Sequence, residues 1–151
     1  MKLSLAAAER SGFDVQRLVL EVTEGEVIDD PARFTKLINN YRSFGLKLAI
    51  DDFGAGYSSL SYLRRLPVDQ LKIDRSFASA LAVGDDPIVR STIDMAHNLG
   101  LKVVAEGVEE AVVLERLREL GCDAAQGNFI AAPAAPADIR RWVARRHGLA
   151  E

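Results

Sequence analysis

Apolar positions along the chain follow two alternating rhythms. Short apolar runs bounded by turn residues occur at Leu18–Thr23, Leu46–Asp51, Gln70–Asp74, Lys102–Glu106 and Ala124–Phe129. Their length and flanks predict β-strands. Stretches with helical spacing lie between them, at about Pro31–Phe44, Ser58–Arg65, Pro87–Leu99 and Ala111–Leu120, with a last one at about Ala137–His147. The punctuation agrees. Pro31 and Pro87 follow the acidic pairs Asp29-Asp30 and Asp85-Asp86 and suit a first helical turn. Gly45, Gly100 and Gly121 stand where helix C-caps are expected, each shortly before a strand. Regular alternation of strand and helix predicts an α/β fold with a parallel sheet and right-handed crossovers. No linker, low-complexity segment or sequence repeat is evident, so residues 1–151 are expected to form one domain.

Period-two alternation divides each strand into two faces. Leu18, Leu20 and Val22 share one face of the first; Leu48 and Ile50 of the second; Leu71 and Ile73 of the third; Val103 and Ala105 of the fourth. This apolar face is expected beneath helices. The other face turns charged toward the C-terminal ends, with Glu21, Asp51, Lys72, Asp74 and Glu106, and with Gln126 on the fifth strand. Sites of α/β folds gather at those ends. Any one of these residues is as well explained by a solvated strand end or an ion pair, such as Lys72 with Asp74. The set is harder to explain that way, because clustered acids are costly unless something neutralises them. A hard divalent cation with oxygen ligands does so. The adjacent pair Asp51-Asp52 then makes sense if one or both face a metal. A lysine and a further carboxylate beside such a centre suit metal-assisted attack of water on a phosphate ester. Gly54 and Gly56 permit a tight loop there, although a Gly-x-Gly turn alone is weak evidence.

Composition narrows the picture. Apolar residues make up 48% of the chain, enough for a sizeable core. A net charge of −3 argues against a nucleic-acid polymer as ligand, which favours basic chains. The single cysteine, Cys122, excludes an internal disulfide and fits a reducing cytoplasm. No apolar run approaches the ~20 residues of a membrane span. The N-terminal "MKLSLAAAERSGFD" reads as the end of a helix and not as a signal peptide. His97 and His147 are expected to be structural or exposed, and Trp142 in "RRWVARRH" to pack inward.

Five segments carry a resemblance. "LEVTE" (Leu20–Glu24), "DDFGAGYSSLSYL" (Asp51–Leu63), "LKIDRSF" (Leu71–Phe77), "VVAEGVE" (Val103–Glu109) and "GCDAAQG" (Gly121–Gly127) resemble, in order and spacing, the EAL family. These are bacterial phosphodiesterases that linearise cyclic di-GMP on a TIM-type barrel. The resemblance implies Glu21, Asp51 and Asp52 as ligands of Mg²⁺ or Mn²⁺. It implies Lys72 beside the attacking water and Glu106 as the acid that serves it. Glu24 is implied to anchor the glycine loop of Gly54 and Gly56. Gln126 matches the glutamine of the last strand, and Asp74 matches an acid placed in support or toward the substrate. The departures are equally specific. The Glu-Ala-Leu signature, whose Glu is a metal ligand, does not occur in the chain, nor do the following arginine and the early-strand asparagine. Ala55 stands where Thr is usual, and "NFIAAP" (Asn128–Pro133) where an aromatic and Arg-Pro are usual.

The resemblance thus implies an incomplete TIM-type barrel of about five βα units, starting in the helix before the family's fourth strand. Three functional readings compete: a cyclic di-GMP phosphodiesterase impaired by the missing ligands, a non-catalytic cyclic di-GMP-binding or protein-interaction module, and a relic. Five of eight strands leave two open edges, and open edges invite pairing. A homo-oligomer through the open barrel face is therefore expected.

Overall fold

The computed structural model describes residues 10–23, 31–54, 63–64, 66–84 and 87–148. Among the described residues, five parallel strands form one sheet: β1 (Val19–Thr23), β2 (Lys47–Phe53), β3 (Gln70–Ile73), β4 (Lys102–Ala105) and β5 (Ala124–Ala125). They lie in chain order. Sequential order with crossovers of one hand puts the connecting helices on one face, as in a barrel wall. The helices are α1 (Pro31–Arg42), α2 (Arg75–Ala80), α3 (Pro87–Asn98), α4 (Ala111–Glu119) and α5 (Pro136–His147). The architecture is a partial barrel.

The core lies between the sheet and these helices. Leu48, Ile50, Leu71, Ile73 and Val103 meet Phe34 and Ile38 of α1, Val89 and Ile93 of α3, and Val113 and Leu117 of α4. Each fully buried aliphatic side chain contributes about 1.5–3 kcal/mol of transfer free energy. Stability therefore resides on the helix side, and the other face is free to carry charge. Gly45, Gly100 and Gly121 adopt the left-handed conformation expected of helix ends.

Four expectations change. The fifth strand is two residues long and does not reach Phe129. Its last ladder bond runs from Gln126 N–H to Ala105 O, after which Val108 N–H donates to Gln126 O and Phe129 N–H to Val108 O. The chain is thus drawn against the loop after β4. There a Cβ on Gly127 would come within 2.1 Å of Val108 O. Helix α2 was not expected, because six residues are too few for a periodic signal. Asp74 does not share the charged face with Lys72. It is the N-cap of α2, and its carboxylate accepts from Ser76 N–H at 2.9 Å. Trp142 does not enter the core, because α5 has no buried residue, and Arg146 lies 5.2 Å over the indole instead. The helix expected over Ser58–Arg65 and the N-terminal stretch before Arg10 lie outside the described residues.

Candidate metal and phosphoester site

A slip in strand phase builds the site. Leu48 and Ile50 of β2 point to the core, and period two would send residue 52 there as well. Phe53 goes instead. Between Ile50 and Phe53 the pairing with β3 shifts, three steps on β2 matching two from Leu71 to Ile73. The extra residue is a β-bulge, and Asp52 absorbs it at φ 54°. That conformation costs a residue other than glycine about 1–2 kcal/mol, somewhat less for Asp. It puts the carboxylates of Asp51 and Asp52 on the same side of the sheet. Adjacent acids in a regular strand would point apart.

Lys72 occupies the centre. It opposes Val104 in the β3–β4 ladder, and it is only 5% exposed. Its Nζ lies 2.7 Å from Glu106 Oε1, 2.8 Å from Glu21 Oε2 and 2.9 Å from Asp51 Oδ1. Burial is the largest single influence on this ammonium and pushes its pKa down. The carboxylates of Glu106, Glu21 and Asp51 beside it together outweigh burial and hold the pKa above the ordinary lysine value.

Among the described residues, Asp51, Asp52 and Glu106 offer three carboxylate oxygens within 4.8 Å of one another. Ligands on opposite sides of Mg²⁺, Mn²⁺ or Ca²⁺ stand about 4–5 Å apart, so the spacing suits a hard divalent ion. Oδ1 of Asp51 adds a second observation. It is buried and faces Lys72 without a well-angled hydrogen bond, an acceptor with unused capacity. The donor set fits a divalent cation. The expected trio was Glu21, Asp51 and Asp52; the mutually close trio is Asp51, Asp52 and Glu106, and Glu21, like Asp51 and Glu106, reaches Lys72.

The glycines around the site are close-approach positions. A Cβ on Gly54 would come within 2.8 Å of the Phe77 ring, and one on Gly107 within 2.3 Å of Arg75 Cβ. Gln126 is exposed beyond β5. Glu24 and Gly56 lie outside the described residues. Sequence reasoning missed the bulge, although its signal was present: the apolar phase Leu48, Ile50, Phe53 breaks by one residue across the acids. It also missed Asp69 and Asp123, each of which immediately precedes a strand and accepts a hydrogen bond from the neighbouring strand.

Comparison with known proteins agrees. The EAL domain family profile matches residues 1–133. The chain is 46% identical over 129 residues to the cyclic di-GMP phosphodiesterase NbdA of Pseudomonas aeruginosa, covering 84% of this chain and 16% of that protein. The structure of the PaMucR phosphodiesterase in complex with c-di-GMP superposes with a TM-score of 0.83 at 39% identity, covering 89% of this chain and 56% of that one. The Klebsiella pneumoniae BlrP1 manganese/cy-diGMP complex gives 0.79 at 36% identity, covering 86% and 34%. The chain spans less than a quarter of the length of NbdA and just over half of the MucR structure. No described helix is long and apolar enough to cross a membrane. A phase-slipped acidic pair, a lysine shared by three carboxylates and a family profile across most of the sequence agree: the chain belongs to the EAL domain family.

Proposed function

We propose that this chain carries the strand-end half of a cyclic di-GMP phosphodiesterase site, on a single partial EAL domain spanning residues 1–151. The reading rests on one observation above the others: Lys72 is held by Glu21, Asp51 and Glu106 beside a trio of carboxylates spaced for a divalent cation. Asp51, Asp52 and Glu106 would hold Mg²⁺ or Mn²⁺, with Glu21 beside them. Such an ion, when bound, would polarise the phosphodiester and lower the pKa of water. Lys72 places a fixed positive charge where negative charge develops on the phosphate. Glu106, hydrogen-bonded to that ammonium, is positioned to accept a proton from water. Gly54, and by resemblance Gly56 and Glu24, would shape the loop beside the substrate. Gln126 would face the substrate from the β5 end, and Asp74 would support the site by starting α2. The Glu-Ala-Leu glutamate, the arginine and the asparagine absent from this sequence would have to come from other strands. Without them we expect weak or no turnover, so a cyclic di-GMP-binding or protein-interaction module is the second reading.

β1 and β5 are the edges of the described sheet, and α5 has no buried residue. These features support a homo-oligomer through the open barrel face; a cytoplasmic setting, with no membrane and no nucleic-acid polymer as partner, is part of the same proposal. The test is incubation with cyclic di-GMP and excess Mn²⁺ or Mg²⁺, following linear dinucleotide, with Glu106→Ala as control. Product that disappears in the control supports the phosphodiesterase. No product, with nucleotide binding retained, supports the binding module.

A further inference from the structure

The β2–β3 and β4–β5 units repeat one arrangement that the sequence conceals. Asp69, immediately ahead of β3, accepts from Leu48 N–H at 2.9 Å and lies 3.4 Å from Arg42 Nη1. Asp123, immediately ahead of β5, accepts from Val103 N–H at 2.8 Å and lies 2.9 Å from His97 Nε2. A carboxylate only accepts, so Nε2 carries the proton. Leu48 and Val103 are each the second residue of their strand. Three residues beyond each comes an acid of the cluster, Asp51 or Glu106. Arg42 and His97 each stand three residues ahead of a left-handed glycine, Gly45 or Gly100, and Leu-Lys follows both glycines.

Leu48 and Val103 each lie one residue ahead of the first ladder pair with the following strand, Ala49 with Gln70 and Val104 with Ala124, where a ladder carbonyl would otherwise accept. The aspartate oxygen takes its place, and a charge-assisted hydrogen bond is roughly twice as strong as a neutral one. We propose that Asp69 and Asp123 are positioning residues. Each anchors the start of the strand whose far end carries a carboxylate of the Lys72 cluster, and Arg42 and His97 are interchangeable braces for these anchors. The inference concerns the cluster's geometry and depends on neither cation binding nor hydrolysis.

The Lys72 ammonium is therefore the reporter. Its ¹⁵N and proton signals, identified by their loss in Lys72→Arg, are followed in the full chain without metal. Asp123→Ala and Asp69→Ala are expected to move the Lys72 signal and bring its proton exchange to the rate of exposed lysines. Asp123→Asn, which keeps an acceptor oxygen, should move it less in the same direction. His97→Arg should leave it in place, as should Asp138→Ala, which breaks the remote pair with Arg141. An unmoved Lys72 signal in both alanine variants, with faster amide exchange at Leu48 and Val103, would make the aspartates merely structural and overturn the proposal. If the alanine variants do not fold, Asp123→Asn decides by the same criterion.

Discussion

Lys72→Met removes the charge at the centre of the cluster while keeping most of the stem. The magnitude follows from the exposure of the three partners. The side chain of Glu21 is 49% exposed and can turn to water, so its pairing is worth at most about 1 kcal/mol. Those of Asp51 and Glu106 are 23% and 22% exposed, and without the ammonium they face each other. Breaking a buried ionic contact from one side costs about 3–5 kcal/mol. With one of the three acids free to relax, the low end applies, about 3 kcal/mol, or roughly 6–12 °C in melting temperature for a domain of this size. The pH dependence has a definite sign. A lysine pKa raised by folding gives stability that is complete below the unfolded value of about 10.4 and fades as pH rises through the folded value. Parent and variant should therefore converge in strong alkali. Millimolar Mn²⁺ should restore part of the loss, because the cation replaces the ammonium. Thermal denaturation by circular dichroism at pH 5, 7 and 9, with and without Mn²⁺, tests this. A variant as stable as the parent at pH 7 without metal would refute the reasoning.

Three other perturbations follow from the geometry. Asp52→Gly removes a carboxylate and also the strain at φ 54°, so Mn²⁺ affinity should fall about tenfold or more while stability changes by less than about 1 kcal/mol; a large loss of stability would contradict the bulge assignment. Gly127→Ala should cost about 3 kcal/mol or more, since the added Cβ meets Val108 backbone that two hydrogen bonds hold in place, and urea denaturation would measure it. Val103 N–H first and His97 next hold the Asp123 carboxyl below its ordinary value. Its contribution is therefore present above about pH 3.9 and lost as pH falls toward the folded value, and Asp123→Asn should flatten the acid limb of the stability curve.

The parts of the fold that depend on burial were legible in the sequence. Leu48, Ile50, Leu71, Ile73 and Val103 declare their face by period two, and glycines close the helices before β2, β4 and β5. Lys72 and its acids were legible because four strands turn charged at the same level. Two kinds of feature were not. Asp74 looked like a member of the charged face because alternation does not reveal where a strand stops and a capping residue begins. The anchors Asp69 and Asp123 read as ordinary turn residues, since their partners are backbone groups on another strand 20 or 21 residues away, beyond any local pattern. Trp142 was misplaced for a related reason: an aromatic residue marks a preference for burial but supplies no surface to be buried against.

The charge count shows why the adjacent acids could hold a cation as well as a lysine. Glu21, Asp51, Asp52 and Glu106 face a single ammonium, which leaves three negative charges uncompensated locally. Water can screen Asp52, which is exposed, and half of Glu21, but it reaches little of Asp51 Oδ1. A divalent ion among Asp51, Asp52 and Glu106 would cut the excess to one. It would also draw on two of the three carboxylates that now hold Lys72. Ion and ammonium would therefore draw on the same carboxylates, Asp51 and Glu106, each of which has a second oxygen besides the one facing Lys72. The bulge matters to this count: by turning Asp52 to the side of Asp51, it would offer the ion a carboxylate that is not paired with Lys72.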